Sequence, residues 1–182
     1  MIELSDAEIV AECKNGNQLA FNELVRRYQE KIYWLIRRMV SDHDDANDIS
    51  QDVFVKVFHS IKDFRGESSL FTWLYRIATN MSLNFIRRRK LRSFFSIDTV
   101  EHMIESDEER PLDLMEKKEQ RTLIERAIGT LPEKQKAVFI LRYYEEMPYE
   151  EMATLLKKST GGLKANYFHA VRKIEEYLRH AL

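Results

Sequence analysis

Arg76, Asn80, Asn84 and Arg88 follow one another at intervals of four residues, and on an α-helix that spacing sets all four in one polar stripe. Trp73 stands just before the stripe, and the basic run Arg87, Arg88, Arg89, Lys90 closes it. Amides reach base edges, a flat ring stacks on bases and fixed cations meet phosphates. The chemistry on offer is that of holding a nucleic-acid strand with unpaired bases. Leu74, Ile77, Ala78, Met81 and Phe85 form an apolar stripe beside it, so one helix would pack and bind at once. Plainer readings stand next to this one. Trp73 and Tyr75 also suit a core, and a basic run also suits a solvated helix end, where cations complement the dipole.

A second constellation is acidic. Asp44, Asp48 and Asp52 recur every four residues with Asp45 and Gln51 alongside, while Ile49, Val53 and Val57 form an apolar stripe that Phe54, Phe58 and Ile61 widen. Such a row fits a basic protein surface; it equally fits a solvated helix face near an N-terminus. No His, Ser or Gly-rich loop converges on these carboxylates, so a catalytic pair or a metal site has no support in the pattern.

The third constellation lies near the C-terminus. Residues 149–156 read as a short helix, 157–162 as a turn that Ser159 can cap, and 163–178 as a longer helix with Leu163, Tyr167, Ala170, Ile174 and Leu178 facing in. Lys164, Ala165, Phe168, His169 and Arg172 then face out, where the second helix of a helix-turn-helix meets the major groove. A bare helical hairpin has the same periodicity, and His169 also reads as an ordinary surface histidine.

Helices must position all three sets. The 182 residues hold only 5 Gly and 3 Pro, and apolar spacing of three to four dominates, so the chain reads as all-α. Ser5 with Glu8 three residues on marks a first helix, which ends before the turn at residues 15–17. A second runs from about Gln18 to Val40, a third over 44–58, and a fourth carries the polar stripe. Residues 93–118 lose periodicity and hold Pro111, serines and most of the acidic excess; they read as a flexible linker between domains at 1–92 and 119–182. Phe94, Phe95 and Ile97 interrupt that tether and would pack on the first domain or fill a channel in a partner. Beyond it, Leu123, Ile124, Ala127, Ile128 and Leu131 line one helix, and Pro132 opens the next, which runs to Tyr144.

Net charge is −1, so binding would depend on how charge is segregated along the chain and not on its total. Cys13 is the single cysteine, which excludes an internal disulfide. No cofactor motif, phosphate loop or nucleophile–base set appears, which leaves an enzyme and a small-molecule substrate without support. The opening residues lack a secretory leader's basic start and apolar core, and no apolar run approaches the roughly 20 residues that span a bilayer. A cytoplasmic protein is expected.

Four segments, in order, resemble bacterial alternative sigma factors of the extracytoplasmic-function (ECF) group: AFNELVRRYQEKIYWL, DDANDISQDVFVKVF, FRGESSLFTWLYRIATN and LPEKQKAVFILRYYEEMPYEEMATLL. The resemblance covers almost the whole chain. It implies a region 2 helical bundle over 1–92 and a region 4 helix-turn-helix over 119–182. Asp45, Asp48, Gln51, Asp52 and Phe54 would dock on the β′ coiled coil of core RNA polymerase, with the β flap as a further contact. Trp73, Arg76, Asn80, Asn84, Arg87 and Arg88 would bind the minus-ten element, Asn80 near a flipped-out base. Thr160, Lys164, Ala165, Phe168, His169 and Arg172 would bind the minus-thirty-five element. It also implies a membrane-linked anti-sigma partner and a response to envelope or environmental stress. The chain departs from the family pattern at Lys157, where a glycine is common, at Gly162-Leu163 in place of Thr-Val, and at Asn166, His169 and Val171, where arginines are common. Two other readings remain: a free-standing helix-turn-helix regulator, which leaves residues 68–90 idle, and a protein-binding helical adaptor that mimics an anti-sigma factor.

Overall fold

Caps and breakers set the helix boundaries. Ser5 and Glu8 form a reciprocal capping box at the start of α1 (Asp6–Lys14), and Gly16 at φ +83° turns the chain into α2 (Gln18–Val40), which Asn17 caps. Asp42 caps α3 (His43–Ser60), and a single 3-10 turn follows at Ile61–Asp63. Ser69 Oγ accepts from the Thr72 amide at 3.0 Å and starts α4 (Leu70–Phe95). Then come α5 (Met115–Gly129), α6 (Glu133–Tyr143), α7 (Tyr149–Leu156) and α8 (Thr160–Ala181). These elements come from a computed structural model that describes residues 4–95 and 115–181, with the side chains of 94–95 and 115–121 outside the description. Among the described residues every regular element is helical.

The chain divides into two units, Met1–Phe85 and Ile86–Leu182. In the first, α1 lies on α2 and α2 runs along α3. Ile9, Leu24, Ile32, Leu35, Ile36, Val53, Val57, Leu74 and Tyr75 are its buried centre. Arg27 pairs with Asp6 at 2.8 Å, and the Tyr28 hydroxyl donates to the same carboxylate. Burial first, and that bond second, push the Tyr28 phenol far above its ordinary range, so it remains a donor at any physiological pH.

The second unit closes around Ala127, Ile128, Leu131, Phe139, Ala170 and Ile174. Phe139 stacks on Tyr143 at 5.2 Å and on Tyr167 at 5.9 Å, so α6 and α8 share an aromatic column. Met152, Leu155 and Leu163 are buried where α7 turns into α8.

The structure shifts several boundaries. Helix α8 begins at Thr160 and not at Leu163: Ser159 Oγ accepts from the Gly162 amide at 3.1 Å, and one cap suffices to carry two glycines in the first turn. Helix α4 continues past the expected linker start at 93 to Phe95, and α5 already starts at Met115, where Met, Glu, Lys and Gln favour helix. Both ends of the expected linker are thus helical; Ile97 and the rest of 96–114, with the side chains of Phe94 and Phe95, lie outside the described residues.

Candidate nucleic-acid interface

Helix α4 sets its polar stripe against a broad buried face. Trp73, Leu74, Tyr75, Ala78, Thr79, Ser82 and Leu83 are all buried, so the face is wider than the apolar stripe alone. Hydroxyls make up the difference: Ser82 Oγ donates back to the Ala78 carbonyl at 2.9 Å, and Ser69 Oγ and Thr72 Oγ1 share a bond of 2.8 Å. Asn80, Asn84, Arg87 and Arg88 stand exposed, and Arg76 is half-buried beside them. Because the buried side is locked, these side chains leave the surface at fixed points.

Trp73 departs from the stripe. Its helical angle matches that of Asn80 and Asn84, seven and eleven residues on, yet it is only 8% exposed because Phe64, from the loop before the helix, packs on its ring at 5.0 Å. Trp73 is a core ring here, as the packing reading of it expects. The loop that covers it is anchored where Lys14 Nζ donates to the Phe64 carbonyl at 2.6 Å, and it turns at Gly66, φ +73°.

Helix α3 carries two neighbouring faces. Asp44, Asp48, Gln51 and Asp52 are exposed, Asp45 is half-buried at the capped first turn, and Phe54 is half-buried. Beside the acidic row, α2 and α3 enclose a groove of about 780 Å³ whose apolar walls are Phe21, Val25, Phe54, Val55 and Phe58, with Glu30, Tyr33, Asn47 and Gln51 at its rim. Val55 and Phe58 remain 57% and 48% exposed, and Phe21 meets Phe58 edge-on at 5.0 Å. Phe58, expected to widen the packed stripe, lines this groove instead, and helical spacing alone does not reveal the groove. The available signal was its neighbour Val55, an apolar residue set off the Ile49–Val53–Val57 face. Side by side, an apolar groove and a row of carboxylates suit a helix with an apolar seam and a basic flank.

The second unit presents one exposed stripe on α8. Lys164, Ala165, Phe168, His169 and Arg172 are exposed and Thr160 is half-buried, while Leu163, Ala170 and Ile174 face the core. Phe168 is 57% exposed, with Arg172 over its ring at 5.8 Å. Lys157 takes φ +53°, ψ +51° at the end of α7, the left-handed geometry that a glycine would adopt without strain. A short helix joined this way to a longer one, with a cation-bearing face on the second, has the form that enters a major groove. Among the described residues no group of three or more His, Cys, Asp or Glu could hold a metal ion, and no helix is long and apolar enough to cross a membrane.

Known proteins match both units. The family model for sigma-70 region 2 matches residues 24–92, and the model for sigma-70 region 4 matches 121–174. The RNA polymerase sigma-H factor of Pseudomonas aeruginosa is 34% identical over 97% of this chain and 95% of its own. The ECF RNA polymerase sigma-E factor of Escherichia coli K12 is 34% identical over 95% of this chain and 94% of its own, and that of Haemophilus influenzae 33% over 97% of each. Two solved structures share the fold. CnrH, in complex with the cytosolic domain of CnrY, gives a TM-score of 0.71 at 23% identity, covering 96% of this chain and 97% of that one. The sigma factor RpoE of Bartonella quintana, in complex with the anti-sigma factor NepR, gives 0.70 at 22%, covering 87% and 96%. With two matched regions in sigma order and relatives a third identical from end to end, this chain belongs to the ECF sigma factors of the sigma-70 family.

Proposed function

We propose that this sigma factor divides initiation between its units: the first joins core RNA polymerase and holds the opened minus-ten element, and the second reads the minus-thirty-five element. The boundaries we assign are 1–92, 93–118 and 119–182. The observation that carries the reading is the pair of separate exposed stripes, Asn80 with Asn84 on α4 and Lys164 with Phe168 on α8, each on a helix whose other side is locked in a core. Asp48, Gln51, Asp52 and the groove at Phe54 dock on the β′ coiled coil, and the second unit engages the β flap. Asn80 takes the extruded base, and capture offsets an unstacking cost of a few kcal/mol per step. Arg76, Arg87 and Arg88 neutralise phosphates. Each unit alone binds DNA weakly; polymerase fixes both and makes the second contact intramolecular.

The chain makes and breaks no bonds itself and acts in the cytoplasm, where polymerase performs the chemistry. Its activity is held in check by an anti-sigma protein, membrane-linked, and released by envelope or environmental stress; the solved complexes of RpoE with the anti-sigma factor NepR and of CnrH with the cytosolic domain of CnrY support a protein partner that binds the sigma factor directly. The test is to mix the purified chain with bacterial core RNA polymerase on native genomic DNA and map transcript starts. Chain-dependent initiation at discrete sites is expected. Core binding without initiation would replace the reading with an adaptor, and tight operator binding without core affinity would replace it with a free-standing regulator.

A further inference from the structure

Both cations of the exposed α8 stripe rest on aromatic rings. Arg172 lies over Phe168 at 5.8 Å on α8 itself, whereas Lys164 Nζ lies 5.6 Å from the ring centroid of Tyr149, on a different helix. The guanidinium of Arg142, from α6, also lies 5.2 Å from that centroid. Arg142 is itself fixed, since its Nη1 donates to the Met147 carbonyl at 3.1 Å and to the Glu146 carbonyl at 3.3 Å. Those bonds hold the α6–α7 turn, where Glu146 takes φ +49°. Tyr149 is the first residue of α7, so its backbone is set by that same turn. One half-buried ring therefore meets cations carried by both neighbouring helices.

From this arrangement we infer that Tyr149 is a positioning residue for promoter binding: its ring holds the Lys164 ammonium in place for a phosphate of the minus-thirty-five element. The inference rests on the assignment of α8 to that element. A free lysine loses much of its rotamer freedom when it docks on a phosphate, whereas a lysine already resting on a ring has lost part of it beforehand. The hold is electrostatic and acts through the ring face, so it requires an aromatic residue and not the hydroxyl. Lys164 and Arg172 are the two cations of this stripe, so each fixed charge carries a large share of the attraction.

The test uses holoenzyme assembled from the full chain and core polymerase, on a promoter fragment taken from the start sites mapped with the wild-type chain. Affinity is measured across a salt series for Lys164→Met, Tyr149→Phe, Tyr149→Leu and the double variant Tyr149→Leu/Lys164→Met. Lys164→Met is expected to weaken binding and lower the salt slope by about one. Tyr149→Phe should match wild type, and Tyr149→Leu should weaken binding roughly threefold, as expected for an exposed cation–π contact. In the Lys164→Met background Tyr149→Leu should have no further effect. The inference is overturned if Tyr149→Leu weakens binding equally in both backgrounds, which would mean packing, or if Tyr149→Phe is as harmful as Tyr149→Leu, which would mean a direct hydroxyl contact. Unchanged affinity for Lys164→Met would instead remove Lys164 from the DNA interface, a failure of the underlying assignment that the other outcomes do not share.

Discussion

Helices α4 and α8 both carry an exposed stripe, but among the described residues only α8 keeps an exposed aromatic ring on it. On α4 the rings of Trp73 and Tyr75 go inward, leaving amides and cations to face out. On α8 Phe168 stays outside at 57% exposure and supports a cation. The difference fits two tasks. A helix that takes single bases benefits from rigid amides on a thick core, whereas a helix laid in a major groove has apolar thymine methyls to meet and phosphates on either side. An aromatic beside a basic run is therefore no indicator of a stacking platform by itself; the loop that covers or spares it decides.

The largest expected effect tests that contrast at its extremes. Trp73→Ala should lower unfolding stability by about 3–5 kcal/mol, because a buried ring against Phe64 is lost. Phe168→Ala should change it by less than about 0.5 kcal/mol while weakening promoter binding. Chemical denaturation of both variants checks this, and similar losses would erase the distinction. Next comes Asp48→Arg or Asp52→Arg, which should weaken core polymerase binding roughly tenfold with stability intact, since a charge reversal beside the α2–α3 groove repels a basic flank. A titration against core polymerase reads it, and normal binding by both variants would remove α3 from the interface. Asn80→Ala should leave core binding unchanged and reduce open-complex formation about fivefold, the scale of one lost hydrogen bond. An unaltered signal from a fluorescent base in the minus-ten element would clear Asn80 of that role. The smallest effect should be a gain: Lys157→Gly should stabilise the second unit by roughly 0.5–1 kcal/mol, because a left-handed backbone strains any residue with a Cβ. A fall in thermal midpoint would contradict the strain argument.

What was legible in the sequence was what local chemistry determines. The Ser5–Glu8 capping box, α2 from Gln18 to Val40 and α7 from Tyr149 to Leu156 all depend on caps and spacing within a turn or two, and all were foreseen. The outward stripes were legible for the same reason, since one face of a helix follows from a period of 3.6 residues. For Trp73 the sequence leaves core and platform both open, because the residue that buries it, Phe64, reaches it from a loop whose path the periodicity does not describe. The groove of Phe21, Val25, Val55 and Phe58 was missed because it exists only once α2 and α3 lie together. The shared ring of Tyr149, which joins Arg142 and Lys164 across three helices, is invisible to any local pattern.

The division of labour between the two stripes is tested most directly by site-specific crosslinking in the complete promoter complex. A photo-crosslinking amino acid is placed at position 80 in one preparation and at position 168 in another, each is assembled with core polymerase, and the crosslinked bases are mapped. Position 80 should mark the single strand of the opened minus-ten element and position 168 the duplex at minus thirty-five. Crosslinks at one shared element, or at protein alone for both positions, would contradict it.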